Sequence, residues 1–475
     1  MPPLVAGIDC STQSTKVVLV DPERGGIVAT ARAPHRVTGE GGARETDPEV
    51  WWEALRTAVA ATGRAADVAA ISVAGQQHGL VVLDERGLSL RPATLWNDTR
   101  SAPDAERLVA ELGGAAAAAQ RIGSVPLAAF TATSWLWLRR VEPAVAARVA
   151  RVRLPHDFMT ERLCGNGVTD RGDASGTAWW SPFREAYDDE LLALIELDPS
   201  ALPAVLGPRV RAGEVTAEAA AALGIPAGTP VACGTGDNMA AALGLGIEPG
   251  TPVVSLGTSG TAFAVSTTPT ADATGVVAGF ADATGRYLPL ACTLNCTLAI
   301  DRIAGWLDLD RDAVEDGGEV VVLPFLDGER TPNRPRSSGT ITGLRHATTP
   351  GQILRAAYEG AAFSLLDALE QLHGSGSGLD PNAPVVLVGG GSRGRVWQET
   401  IRRLSGRAVL VPEHVELVAL GAAAQAAGVL GGRAPEEVAR GWDTAAGVRL
   451  EAVPRDQDAL SRIRAVRKRS EALDG

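Results

Sequence analysis

The sequence predicts an α/β protein built from two copies of one unit, and three observations lead there. The chain has 475 residues, which is enough for two cores. Short apolar runs that end in glycine- or hydroxyl-rich turns alternate with longer helical patterns. Near residue 245 the opening pattern begins again.

The elements follow in order. Leu4–Ile8 reads as a strand, Asp9–Thr15 as a polar loop and Val17–Val20 as the returning strand. Asp21–Gly26 is a turn, and Ile27–Ala33 fits a third strand. Asp47-Pro48 opens a helix carrying Trp51 and Trp52, with Asp47 as the cap and Pro48 in the first turn. A strand at Val68–Ala74 leads into Gly75-Gln76-Gln77-His78-Gly79 and a strand at Leu80–Leu83. Helices fill the stretch from Ser101 to Ala150, and Val231–Cys233 returns to strand before Gly234-Thr235-Gly236-Asp237. After the restart, Thr251–Leu256, the loop Gly257-Thr258-Ser259-Gly260 and Thr261–Ser266 echo the opening hairpin. Strand Pro384–Val388, the Gly389–Ser392 loop and helix Arg395–Leu404 echo Val231–Cys233 and the segment that follows it. The predicted domains are 1–242 and 243–475.

Composition excludes several classes. With 45% apolar and 21% charged residues the chain is ordinary for a globular protein. A formal net charge of −12 offers no basic face for nucleic acid or an anionic membrane. Five cysteines without a CxxC pair suit free thiols in a reducing compartment, and no histidine pair has zinc-site spacing. No run approaches the roughly 18 apolar residues of a spanning helix, so a cytoplasmic protein is expected.

Lys16 and Lys468 are the only lysines among 44 Lys and Arg residues. Neither follows a glycine, which excludes a Walker A loop. Two hairpin loops remain for phosphate, Asp9-Cys10-Ser11-Thr12 and Gly257-Thr258-Ser259. Tight turns of small hydroxyl residues aim several amides at one point, although each alone also reads as an ordinary hairpin. Asp9, at the end of a buried strand, is of the type that holds Mg²⁺. Lys16 beside it reads equally as a phosphate contact or as a solvated strand residue. Gly389-Gly390-Gly391-Ser392-Arg393-Gly394, between a strand and a helix, formally fits a dinucleotide fingerprint, with Glu413 as the ribose acid. Its late position favours a nucleotide over a dinucleotide. Asp237 is either a helix cap or a base beside the domain boundary. Gln77-His78 and Trp96-Asn97-Asp98 offer polar groups and an aromatic face suited to a sugar, against the plainer readings of a structural histidine and a polar turn.

The ordered set of these motifs resembles the FGGY carbohydrate kinases of the actin/hexokinase-like ATPase superfamily. It runs from Gly7-Ile8-Asp9-Cys10-Ser11-Thr12 through Gly75-Gln76-Gln77-His78-Gly79, Leu95-Trp96-Asn97-Asp98 and Gly234-Thr235-Gly236-Asp237-Asn238. It continues with Ser255–Gly260, Gly328-Glu329-Arg330-Thr331-Pro332, Val388–Gly391 and Ala419–Ala423. The resemblance implies two ribonuclease-H-like lobes with an interdomain cleft, the sugar mostly on the first and ATP mostly on the second. It implies Asp237 as general base and Asp9 as the Mg²⁺ group. Gln77, His78, Trp96, Asn97, Asp98, Asp237 and Asn238 then face the sugar. Ser11, Thr12, Lys16, Gly257, Thr258, Ser259, Gly389, Gly390 and Gly391 face ATP. The expected reaction is phosphorylation of a ketopentose, D-xylulose first, at its terminal hydroxyl. Ribulose, glycerol or gluconate, an NAD-dependent oxidoreductase and a non-sugar actin-like ATPase are the alternatives. Gln77 stands where this family often has Met, which touches the choice of sugar. A homodimer is the assembly the resemblance implies.

Overall fold

A computed structural model describes residues 3–473. The first half of the chain forms a seven-stranded sheet around β1 (Leu4–Cys10), every residue of which is buried. Both faces of that strand are covered, so its sequence is a continuous apolar run rather than an alternation. β2 (Ser14–Val20) returns antiparallel to it and β3 (Ile27–Pro34) pairs with β2 at the edge, where burial alternates residue by residue. The helix α1 (Pro48–Thr62) starts as its sequence predicts, with the Asp47 carboxylate accepting the Glu49 amide at 3.0 Å. β4 (Val68–Gly75) runs parallel to β1. Two short polar helices, α2 (Pro155–Cys164) and α3 (Arg171–Ser175), precede β5 (Arg211–Glu214), β6 (Pro230–Ala232) and β7 (Thr235–Gly236). The strand order is β5-β6-β4-β1-β2-β3, and β7 also pairs with β4. The helix α4 (Asp237–Leu245) ends this half.

The second half builds another seven-stranded sheet. Its strands are β8 (Val253–Leu256), β9 (Gly260–Phe263), β10 (Ala278–Ala281), β11 (Tyr287–Thr293), β12 (Val385–Val388), β13 (Val409–Pro412) and β14 (Gly447–Leu450). Their order is β10-β11-β9-β8-β12-β13-β14. Four helices matter below: α5 (Thr297–Trp306), α6 (Pro350–Gly374), α7 (Arg395–Ser405) and α8 (Leu417–Gly431). The series β3-β2-β1-β4-β6-β5 and β11-β9-β8-β12-β13-β14 share pairing and strand directions, and differ only in that their last two strands come in opposite chain order. The unit is therefore duplicated.

The pairing corrects one of the sequence echoes. β12 corresponds to β4, and β13 corresponds to β6, so matching Pro384–Val388 with Val231–Cys233 is displaced by one strand. Both candidates are short apolar runs that end in glycine, and only long-range pairing tells them apart.

The equivalent helices α4 and α8 pack on each other where the halves meet. A Cβ on Gly244 would stand 2.0 Å from the Leu417 carbonyl oxygen, and one on Gly421 would stand 1.9 Å from that of Ala240. Only glycine permits backbones this close. α8 also lies on the first sheet: Gly7 faces the Ala419 carbonyl with equally little room. There Gln425 accepts a hydrogen bond from Ser72 (2.9 Å) and donates one to the Gly234 carbonyl (3.2 Å). Among the described residues no single helix is long and apolar enough to cross a membrane. All five cysteines are free thiols.

Candidate active site

Strand register assembles the site. Asp9 pairs with Ala74, and Ala74 with Thr235; Cys10 pairs with Gly75, and Gly75 with Gly236. The carboxyl ends of β1, β4 and β7 therefore stop at one level, and Ser11, Gln76 and Asp237 follow on the same rim. Ligands of open α/β sheets collect at that rim.

Asp237 is the first residue of α4, and Gly236 is the cap. Its Oδ1 accepts the Asn238 amide (2.8 Å) and the Asn238 side-chain nitrogen (3.0 Å). Among the described residues no side chain donates to Oδ2. Asn238 Nδ2 also donates to Gln77 Oε1 at 2.9 Å, so Gln77, Asn238 and Asp237 form one chain. Burial, followed by the negative charges of Asp9 and Asp173, pushes the Asp237 carboxyl up to about 7. The side chain is nonetheless only partly covered, which leaves it within reach of a ligand. A carboxylate with one oxygen tied and one open, poised near neutrality, is equipped to take a proton from an alcohol.

His78 adopts φ 67°, a left-handed conformation rare outside glycine. It is held there by Thr131, whose hydroxyl donates to the His78 carbonyl at 3.0 Å. The ring lies against Phe130 and Phe280, with centroids 5.1 and 5.6 Å away, and its Nδ1 is 2.7 Å from the Gly176 carbonyl. Burial drives its pKa down to about 4. The ring is thus neutral, Nδ1 carries the proton donated to Gly176, and Nε2 keeps a lone pair for a hydroxyl donor. Phe280 comes from β10, so the second half contributes to this wall.

On the first hairpin loop, Asp9 is buried and accepts the Ser11 hydroxyl. Burial raises its pKa, against the Ser11 hydrogen bond and the Lys16 charge directly across the strand pair. Trp96 Nε1 donates to Thr12 Oγ1 at 3.1 Å, which joins the expected sugar aromatic to the phosphate loop. In the second half, the Gly257 carbonyl accepts both the amide and the hydroxyl of Thr297 (3.1 and 2.7 Å) at the start of α5. Thr258 is left exposed and Ser259 half-buried. The Gly391 amide donates to the Leu256 carbonyl at 2.8 Å, and a Cβ there would meet Thr297 at 2.8 Å. The glycine loop Gly389–Gly391 therefore lies against the Gly257–Ser259 loop, and Gly390 faces open space. Beside them is a cavity of about 540 Å³ lined by Leu294, Leu298, Arg302, Trp306, Leu326 and Asp327.

Two expected residues also have protein partners. Both oxygens of Asp98 are taken by the Arg44 amide and by Arg100, and the side chain is buried, so it braces the loop. Asn97, next to it, keeps a buried Oδ1 without a hydrogen-bond partner among the described residues. Lys16 forms an ion pair with Glu416, just before α8, and so links the two halves instead of standing free.

Sequence reading missed a buried cluster behind Gln77: His156, Asp157, Asp170 and Asp173, none more than 2% exposed. The 328–332 motif holds Glu329 and Arg330, to which the sequence reading assigns no role. The buried Glu329 carboxylate accepts the Leu294 and Arg330 amides (2.5 and 2.8 Å) and pins that loop. The only signals were Pro-His-Asp at 155–157 and Asp-x-x-Asp at 170–173, which look like surface loops until the fold buries them.

Residues 4–244 match the FGGY family of carbohydrate kinases, N-terminal domain, and residues 253–429 match its C-terminal domain. The chain belongs to the FGGY family of carbohydrate kinases. It is 60% identical to the xylulose kinase of Streptomyces coelicolor over 98% of this chain and 96% of that one. It is likewise 60% identical to the xylulose kinase of Streptomyces rubiginosus, with the same coverage. The crystal structure of xylulose kinase from Bifidobacterium adolescentis superposes with a TM-score of 0.84 at 36% identity, covering 98% of this chain and 99% of that one.

Proposed function

We propose that the chain is a cytoplasmic kinase that transfers the γ-phosphoryl group of ATP to the terminal hydroxyl of D-xylulose, giving D-xylulose 5-phosphate. The observation that carries the reading is Asp237, a carboxylate raised to about 7 with one free oxygen, flanked by Gln77, Asn238 and the neutral His78. The names of the 60% identical relatives supply the choice of sugar.

The steps follow from the side chains. Gln77, His78 and Asn238 hold the ketose hydroxyls, and Trp96 covers a face of the sugar. Asp237 Oδ2 takes the proton of the attacking hydroxyl as that oxygen closes on the γ-phosphorus. Amides and hydroxyls of Ser11, Thr12, Gly257, Thr258 and Ser259 bind the triphosphate from two sides. Gly389–Gly391 border the nucleoside, and the cavity beside α5, with Leu294, Leu298 and Trp306, takes the base. Lys16 reaches the phosphates when it leaves Glu416. The donors Asp9 and Ser11 offer hard oxygen ligands of the kind Mg²⁺ selects, and that ion would offset charge on the phosphates. The split between the halves falls near the expected 242/243, at the end of α4, and the homodimer expected of the family is the assembly.

The test is a panel of D-xylulose, D-ribulose, glycerol and gluconate with coupled detection of ADP. D-Xylulose is expected to give the highest kcat/KM. A higher value for another acceptor, or ATP turnover without sugar, overturns the assignment.

A further inference from the structure

The cluster behind the sugar site has no part in the reaction as written, yet it is built with care. His156 Nδ1 is 2.7 Å from Asp173 Oδ2, while Nε2 is 3.2 Å from Asp157 Oδ1 and 3.9 Å from Asp170 Oδ1. Nδ1 is hydrogen-bonded to Asp173 and Nε2 faces Asp157 without a hydrogen bond to it, and the surrounding negative charge favours the imidazolium. Burial works against that charge, but Asp157, Asp173 and Asp170 outweigh it and raise His156 to about 9.

The acids are themselves fixed. Asp170 caps α3 by accepting the Gly172 and Asp173 amides, both at 2.9 Å, and also accepts the Thr235 hydroxyl at 2.8 Å. Asp157 accepts the Leu154 amide at 2.8 Å. A further charge near the cluster comes from Arg153 on the Asp157 side, beside the neutral phenol of Tyr187. Asp173 is the member that faces forward. Its Oδ1 and the Gln77 Nε2 are both buried without a hydrogen-bond partner among the described residues, and Gln77 lies close enough to lower the Asp173 pKa against its burial. Both side chains crowd Gly236, where a Cβ would stand 2.7 Å from Gln77 Cγ and 3.2 Å from Asp173 Oδ1. From Gln77 the chain runs on through Asn238 to Asp237 Oδ1.

We propose that His156 and Asp173 are positioning residues for the acceptor side of the site: their buried ion pair fixes the Gln77 amide, and through Gln77 and Asn238 it aims Asp237. A primary amide can rotate by half a turn and exchange its donor and acceptor ends. With Asp173 accepting from Nε2, only one orientation survives, the one that leaves Oε1 for Asn238. Burial raises the Asp173 carboxyl, and the His156 hydrogen bond and charge work against that rise. Removing one partner leaves the other buried without compensation. This inference rests on the acceptor-site reading above.

Three variants test it in the full-length enzyme: His156→Gln removes the charge, Asp173→Asn keeps the shape, and His156→Lys restores a cation. They are assayed with the best sugar of the panel, alongside the wild type and a tryptophan-fluorescence titration with that sugar. His156→Gln and Asp173→Asn are expected to raise KM and Kd for the sugar at least tenfold, with KM for ATP within twofold. His156→Lys is expected to recover most of that loss. A variant that folds with unchanged sugar KM, or one that raises both KM values alike, overturns the proposal, as does equal damage from His156→Lys and His156→Gln. Should His156→Gln fail to fold, Asp173→Asn decides alone. A wrong choice of sugar shows already in the wild type and leaves the comparison among variants intact.

Discussion

Replacing Asp237 with Asn separates chemistry from stability in opposite directions. The amide keeps an oxygen to accept the Asn238 amide, so the start of α4 is preserved and the charge alone is lost. Loss of a general base costs about 10²–10⁴ in rate. The stability effect has the other sign. The carboxyl rises from 3.8 to about 7 on folding, so its ionised form opposes folding. A shift of this size corresponds to about 4 kcal/mol as an upper bound, since solvent still reaches the side chain. That penalty is complete above the folded pKa, shrinks as pH falls below it and is gone near the unfolded value. Asp237→Asn should therefore lower kcat at least a hundredfold, leave nucleotide binding close to native, and melt above the wild type at pH 8. The difference in melting temperature should narrow toward pH 4. Coupled ADP detection, nucleotide titration and scanning calorimetry at several pH values check all three. A kcat within tenfold of the wild type, or a variant less stable at pH 8, would refute the reasoning.

Three further outcomes are expected. In the wild type, kcat/KM for the sugar should fall with unit slope on the acid side, with a midpoint at or below about 7, because the base must be ionised. A profile flat down to pH 5 contradicts this. Gly421→Ala should destabilise the protein by about 3 kcal/mol or more, because its Cβ would collide with the Ala240 carbonyl; thermal melting reads this out, and an unchanged melting temperature counts against the helix contact. Lys16→Met should raise KM for ATP several-fold while Glu416→Gln does not, since only the lysine is proposed to reach phosphate. Equal effects from the two would assign the pair to structure alone.

Much of the fold was legible because it is written locally. Strand and helix starts such as Leu4, Ile27, Asp47-Pro48 and Arg395 follow from apolar runs, caps and proline, and they fall within a few residues of the observed bounds. Partner choice between strands was less legible. Val385–Val388 was matched to the wrong strand of the first half because short apolar runs look alike. In the site, Asp9, Gln77, His78, Asp237 and Asn238 share one rim because they all sit at strand ends, where a pattern reading finds them. The protein partners of Asp98 and Lys16 are not legible for one reason. Their partners, Arg100 with Arg44 and Glu416, become neighbours only through loop geometry or across 400 residues of chain. The His156 cluster was invisible because polar residues in the first turns of short helices give no sign of burial.

The glycine-mediated contact of α4 with α8 has a mechanical consequence. Backbones this close cannot slide apart without opening a gap, so relative rotation of the halves is expected to turn about this crossing. Asp237 begins one of the two helices and therefore rides near the axle, where displacement is least. The Gly257–Ser259 hairpin belongs to the other half and sweeps the longer arc. The proposed proton acceptor would keep its alignment to the bound alcohol through each cycle, while the triphosphate would be carried in and out of attacking range.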